Sequence, residues 1–451
     1  MYTFSSKLKS LSFLLMILGI LGIAYGFFTA PKTPKEVEAI IASSHSDHSK
    51  SNLSDVKKEH TSIIDKHDAN ADTPNLVSHN QEHANHIEHV FHQLQNKPWA
   101  ALYVAALFFL LISLGVLAFY AIQIAAQSGW SPVLFRVMEA ITSYLVPGAI
   151  IVYVLLILSG FGFNHLFVWM DPEVVKHDEL IQAKTGYLNL PFFLVRAAIF
   201  MGGWIWYRAY TRKNALLLDE TNDLTYYKKN FKVSAGFLAF FLVSESIMSW
   251  DWIMTIDPHW YSTLFGWYVF ASFFVSGITV ISVVGLYLKT QGYLEKVNDS
   301  HFHDLAKFMF GMSIFWTYLW FSQFMLMWYA DIPEEVTYFK VRVDNYNLPF
   351  FAMVVMNFVF PVLILINSDF KRVPLIIIMA GMVILFGHYL DFFIMIYPGT
   401  VGKEWGFGIS EISSLIFFVG LFIFTIFTTL SKAPLLPKGN PLIEESKHFH
   451  Y

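Results

Sequence analysis

Three observations predict an all-α integral membrane protein of about ten transmembrane helices. The first is composition: of 451 residues, 55% are hydrophobic and 14% charged, whereas a soluble domain carries roughly 25% charged residues. The second is a series of ten apolar runs, each near or above the ~20 residues a helix needs to cross a bilayer. The third is internal repetition. Asn189-Leu190-Pro191-Phe192-Phe193 recurs in full as Asn347-Leu348-Pro349-Phe350-Phe351. Asp251-Trp252-Ile253-Met254-Thr255-Ile256-Asp257-Pro258 is echoed by Asp391-Phe392-Phe393-Ile394-Met395-Ile396-Tyr397-Pro398, and Trp169-Met170-Asp171-Pro172-Glu173 by Trp328-Tyr329-Ala330-Asp331-Ile332-Pro333-Glu334. Three motifs recurring in one order predict two tandem four-helix bundles.

The formal net charge of −4 gives no basis for a nucleic-acid partner, and there is no cysteine. That excludes disulfides, haem attached through C-x-x-C-H and cysteine-ligated iron–sulfur clusters in this chain. A redox role then rests on quinone, on haem held by His, or on cofactors of partner subunits. Walker, dinucleotide-binding, H-E-x-x-H and G-x-S-x-G motifs are absent as well, which removes support for nucleotide and hydrolase chemistry.

Residues 1–30 hold the first apolar run, behind Lys7 and Lys9. Pro31 follows the one small-residue cleavage candidate, so a retained helix is expected rather than a cleaved signal. Residues 31–97 form a polar, partly disordered loop with nine of the 17 His: His45, His48, His60, His67, His79, His83, His86, His89 and His92. On a helix the later ones draw a stripe able to hold a divalent metal. No carboxylate stands at a ligand spacing, so a solvated loop without a metal site is expected.

Nine further spans follow, over 99–125, 135–168, 190–207, 233–254, 264–288, 305–328, 348–366, 374–396 and 409–430. The run from 135 is too long for one upright span; it tilts, starts later, or breaks at Pro147-Gly148. The first four-helix block is assigned to 98–263, the second to 264–408, and the final helix and tail to 409–451. Pro191 and Pro349 suit helix starts, where a missing N–H costs nothing. Pro258 and Pro398 mark helix ends. Short segments on the side of the termini carry seventeen Lys and Arg, those opposite only five. Both termini are therefore expected in the cytoplasm, and the His-rich loop outside.

An ionisable group in a lipid-spanning run is costly and invites a functional reading. The outer half offers His165, Arg196, Asp251, His388, Asp391 and Glu411; Glu245 lies nearer the midplane. Toward the cytoplasm come Glu139, Asp304 and Lys307. Asp304 and Lys307 read as interface snorkellers, whereas Glu139, with Arg136 and Tyr144 nearby, could form the inner mouth of a proton path. Asp251 and Asp391 are the pair able to take protons from a quinol or relay them outward. Their structural alternative is pairing with Arg196, or with donors such as Trp250, Trp252 and Tyr389. His165 and His388 are candidates for haem or a quinone carbonyl, and His259 for a surface loop. Most Trp fall near span ends, as an interfacial belt requires.

The string Ser249-Trp250-Asp251-Trp252-Ile253-Met254, followed by Asp257-Pro258-His259-Trp260-Tyr261-Ser262-Thr263, and the later His388-Tyr389-Leu390-Asp391 carry a resemblance. With the ten-span plan they make 98–433 similar to the second large integral-membrane subunit of alternative complex III. That bacterial quinol:cytochrome c oxidoreductase has its membrane subunits in the family of polysulfide-reductase and nitrite-reductase anchors. The resemblance implies a multi-pass subunit of the bacterial inner membrane with no redox centre of its own, part of an oxidoreductase but not its catalytic subunit. Its partners would be a sister quinol-binding membrane subunit, an iron–sulfur subunit, c-type cytochrome subunits and a terminal oxidase. Quinol or menaquinol, iron–sulfur clusters and haem c would sit on those partners. Asp251, Asp391 and His388 would form an outer polar cluster, with Glu139 and Glu245 on a proton path. Two other readings are a subunit that oxidises quinol itself at that cluster, and a secondary transporter. Parallel repeats and outer-side motifs speak against transport, where inverted repeats around a midplane site are common.

Overall fold

In lipid no water is present to satisfy backbone N–H and C=O groups, so a chain this apolar crosses as helices or a closed barrel. The computed structural model describes residues 2–38 and 73–450 and has no strand among them. The protein is an all-α, multi-pass membrane protein of about ten spanning helices. Of the histidines in the 31–97 segment, His45, His48, His60 and His67 lie outside the described residues, as do the side chains of His79, His83, His86 and His89.

In chain order the helices are α1 (Ser6–Thr29), α2 (Thr73–Ala125), α3 (Phe135–Ile141), α4 (Leu145–Gly160), α5 (Pro172–His177), α6 (Glu179–Lys184), α7 (Leu190–Thr221) and α8 (Leu224–Trp252). Then come α9 (Leu264–Thr290), α10 (Asp299–Ala330), α11 (Pro333–Asn345), α12 (Asn347–Val354), α13 (Phe360–Leu365), α14 (Pro374–Thr400), α15 (Ile409–Leu430) and α16 (Ile443–Lys447). Among the described residues, nine helices are both long and apolar enough to cross a membrane. The helix α10, at 32 residues or about 48 Å, is long enough but carries a more polar first third.

Packing closes α2, α3–α4, α7 and α8 into one ring, and α9, α10, α12–α13 and α14 into a second. The two rings meet along their first helices. Within their apolar windows α2 is 94% buried and α9 89%, against 33% for α8, so α2 and α9 form the shared core and α8 faces lipid. Their backbones touch at two glycines: a Cβ on Gly115 would stand 2.5 Å from the Phe273 carbonyl oxygen, and one on Gly277 2.9 Å from the Val116 nitrogen. Small residues allow this close approach, on which packing in lipid depends. The helix α1 lies along α15 by the same device, with Gly19, Gly22 and Gly26 against Phe417, Ser413 and Ser410. Tyr2 packs on Tyr293 and Phe427, and Asn298 donates to the Phe449 carbonyl, so both termini lie on one face. We call the other the far face.

Several expected boundaries move. The second span does not begin after Pro98: α2 starts at Thr73 and carries Pro98 inside it, so 73–97 is helical where a loop was expected. The long run from 135 bends through a 3-10 turn at Thr142–Tyr144 before α4 begins. The break precedes Pro147-Gly148 because a proline ring crowds the carbonyl four residues earlier, not its own position. Pro258 lies in the turn just beyond α8 and its 3-10 continuation Met254–Ile256, as expected at a helix end, while α14 runs through Pro398 to Thr400, so Pro398 is not a helix stop. The eighth span is broken by a π-turn at Val355–Val359, just ahead of Pro361.

Candidate functional site

Each bundle buries one aspartate completely: Asp251 and Asp391 are both 0% exposed. Asp251 stands on the last turn of α8. Arg196 on α7 meets it with two bonds, Nε to Oδ2 at 2.7 Å and Nη2 to Oδ1 at 3.1 Å. The Tyr187 hydroxyl donates to Oδ1 at 2.9 Å. The guanidinium lies between two rings, 3.9 Å from the centre of Tyr187 and 4.3 Å from that of Phe192, which adds cation–π attraction. Local sequence builds this clamp. Asn189 caps α7 by accepting from the Phe192 N–H, so the capping residue, the stacking Phe192 and the ion-pairing Arg196 share one short segment. The expected donors Trp250, Trp252 and Tyr389 are not bonded to Asp251; the indole N–H groups of Trp250 and Trp252 are buried without an acceptor.

Asp391, on α14, is held differently. The Tyr268 hydroxyl on α9 donates to its Oδ1, and the Trp316 indole on α10 to its Oδ2 at 2.8 Å. The His388 Nδ1 stands 3.6 Å from Oδ2 and is also in reach of Ser272 at 3.0 Å and Asn357 at 3.4 Å. The groups hydrogen-bonded to this carboxyl are thus neutral donors. No residue is shared between the two sets, so the single outer cluster of Asp251, Asp391 and His388 is two sites, one per bundle.

Near the termini face, Glu139 accepts from Arg136 at 2.6 Å, from Arg212 at 3.0 Å and from Tyr120 at 3.0 Å. Arg136 also pairs with Asp219 at 2.5 Å, and Asp219 accepts from the Gly439 N–H of the C-terminal tail. The phenol is Tyr120, not Tyr144, whose hydroxyl has no partner. Glu245, six residues before Asp251 and so roughly 9 Å along the helix axis, is buried with Oε2 accepting from Ser246 at 3.1 Å and Oε1 without a donor. Asp304 and Lys307 form an ion pair at 2.5 Å. Glu411 caps its own helix, accepting from the Gly408 N–H and from Tyr397.

His165 and His388 do not face each other across a cavity. His165 packs on His92, ring centres 5.0 Å apart, while Asn96 clasps its backbone N–H and C=O. Burial, and next the neighbouring His92, hold the His165 imidazole below its ordinary pKa. His259 sits on the far-face loop as expected, 2.5 Å from Asp178. The Ile181 backbone N–H, more than His259, keeps the Asp178 carboxyl below its usual range. Among the described residues no group of three His, Asp or Glu could hold a metal ion.

Sequence reasoning missed Tyr187, Tyr268, Trp316 and Arg342. Arg342 is buried in the second bundle, donating to the carbonyls of Ile394 and Tyr338. A signal existed for Tyr187, two residues before the repeated Asn189 motif. Tyr268 and Trp316 are ordinary aromatics in apolar runs and carry none. No family model matches the sequence, and no significant match is found among curated proteins.

Proposed function

We propose that the chain is a membrane subunit of a quinol:cytochrome c oxidoreductase of the alternative complex III type, without a redox cofactor of its own. It would sit in a bacterial cytoplasmic membrane with both termini inside, beside a sister quinol-binding subunit, an iron–sulfur subunit and c-type cytochromes. Its work would be to hold that assembly together and to pass protons through buried acidic side chains. The excess of Lys and Arg on the termini face supports the orientation. The observation that carries the reading is the pair of fully buried aspartates, one per four-helix bundle, each inside the motif on which the resemblance rests. Buried carboxyls in lipid-spanning helices are costly and are found on ion pathways and proton relays. Glu245 and Glu139 extend the series toward the termini face.

The test is quinol:cytochrome c reductase turnover of the intact purified complex, comparing wild type with Asp251→Asn and Asp391→Asn. Subunit stoichiometry and haem content report assembly. Turnover lost in a fully assembled complex supports the proton role; unchanged turnover in both variants leaves the subunit a scaffold. A chain that copurifies with no cytochrome subunits overturns the assignment.

A further inference from the structure

Both copies of the aspartate motif end in a proline, Pro258 and Pro398, and a proline has no N–H for the carbonyl four residues before it. The two copies meet this loss differently. Four before Pro258 stands Met254, whose carbonyl accepts from the Asp257 N–H at 3.1 Å. The chain has tightened there into the 3-10 turn Met254–Ile256, and the helix is over. Four before Pro398 stands Ile394, yet α14 continues as a helix to Thr400. The Ile394 carbonyl accepts from a side chain on another helix. Arg342 on α11 donates Nε–H to it at 3.1 Å, and its Nη2 reaches the next carbonyl, that of Met395, at 3.4 Å.

The rest of the Arg342 environment fits that task. The residue is buried, and its third bond goes to the Tyr338 carbonyl, one turn back on its own helix, at 2.8 Å. No carboxylate is among these partners. The guanidinium lies 3.3 Å from the centre of the Tyr338 ring, which adds cation–π attraction, and that ring stacks on Trp260 of the first bundle at 3.9 Å. A charge is costly in this setting, but a planar fork of donors is what two successive carbonyls of an interrupted ladder can use. In membranes a helix passes a proline where a neighbour satisfies the freed backbone group. Space for the other kind of ending is present too: a cavity of about 100 Å³ lies beside Pro398, lined among others by Arg342, Met395 and Gly399.

We infer that Arg342 takes the place of the amide that Pro398 lacks, and that the end of α14, residues 395–400, is helical only while this guanidinium holds the Ile394 carbonyl. Released, the segment ends as α8 ends, in a tightened turn. The inference stands apart from the subunit assignment and from proton traffic. It is tested on the purified full-length protein in detergent by hydrogen exchange of 395–402, in wild type, Arg342→Met, Pro398→Ala and the two combined. Pro398→Ala returns a backbone N–H to the Ile394 carbonyl and so removes the need for the arginine. Exchange is expected to quicken by about tenfold or more in Arg342→Met, and to come back to within about threefold of wild type when Pro398→Ala is added. Unchanged exchange in Arg342→Met overturns the inference, and so does a quickening that Pro398→Ala does not reduce. Should Arg342→Met alone fail to fold, the combined variant decides: recovery of folded protein supports the inference, and failure there as well overturns it.

Discussion

Loss of either partner of the Arg196–Asp251 pair is expected to destabilise the first bundle strongly, and the cost can be worked out from the geometry. Both partners are shielded, Asp251 at 0% and Arg196 at 7% exposure, and they share two bonds of 2.7 and 3.1 Å. Truncating one member of such a pair strands the other charge without water, which costs about 3–5 kcal/mol. Arg196→Met should therefore remove at least about a fifth of a net stability of about 5–15 kcal/mol. Replacing both charges, as Arg196→Met with Asp251→Leu, removes the stranded charge as well as the attraction. That double variant should recover to within about 1–2 kcal/mol of wild type. Tyr187 would lose its acceptor, but its ring is 42% exposed and its hydroxyl can turn toward solvent. The assay is denaturant unfolding in detergent micelles, followed by the fluorescence of the 13 Trp, with the four proteins treated as a double-mutant cycle. An Arg196→Met variant within about 1 kcal/mol of wild type would refute the reasoning. So would a double variant no more stable than the worse single.

Three further outcomes follow from other contacts. Trp316→Phe deletes the indole bonded to the Asp391 Oδ2; a buried acceptor left short should cost about 1–3 kcal/mol, read in the same unfolding assay. Gly22→Leu should separate α1 from α15, because even a Cβ at that position would stand 1.8 Å from the Ser413 Oγ; easier proteolysis within 1–38 reports it, and unchanged resistance would contradict the close packing. The tail should respond to acid through His301, whose Nε2 lies 3.0 Å from the Ser446 carbonyl. Burial, ahead of the opposing pull of the Ser446 carbonyl and of Asp304, with Lys289 acting in the same sense as burial, holds this imidazole below its ordinary 6.5. A group depressed in the fold contributes stability that is complete above its unfolded pKa and lost as pH falls below it. Hydrogen exchange in 443–449 should therefore quicken between pH 7.5 and 5.5 after correction for intrinsic rates, and stay flat in His301→Gln.

Much of this fold was legible because lipid imposes one rule at a time. Ten apolar runs are visible in hydropathy alone, and the alternation of short loops then dictates that both termini share a face. The Asn189 motif was readable as a helix start because Pro191 suits a first helical turn, where its missing N–H costs nothing. Arg196 was readable as a partner for Asp251, since an arginine in an apolar run demands an anion. The holders of Asp391 were not. Tyr268 and Trp316 come from two other helices, and in a chain with 45 Phe, 22 Tyr and 13 Trp nothing marks two rings as donors rather than packing. Pro398 misled for a related reason. Tertiary contacts from α2, α9 and α12 surround that helix and carry it past a proline that would end an isolated one.

The two bundles repeat one frame but not one site, and the difference predicts where proton traffic is easier. Arg196 lies seven residues beyond Asn189, and the position seven beyond Asn347 is Val354. Asn347 does not cap its helix either. The second copy thus lacks the guanidinium, and Asp391 relies on phenol, indole and imidazole instead. Protonating Asp251 would break an ion pair and strand Arg196, at a cost of several kcal/mol. Protonating Asp391 alters hydrogen bonds from neutral donors to its carboxylate, each worth about 1.5–3 kcal/mol, but breaks no bond to a guanidinium, and His388 stands beside it. Asp251→Asn should therefore lower the stability of the assembled complex more than its turnover per assembled unit, and Asp391→Asn should do the reverse. Unfolding midpoints and reductase turnover measured on the same preparations separate the two effects. If both variants lose stability and turnover in the same proportion, the bundles do not differ in function and the asymmetry at Val354 is only one of packing.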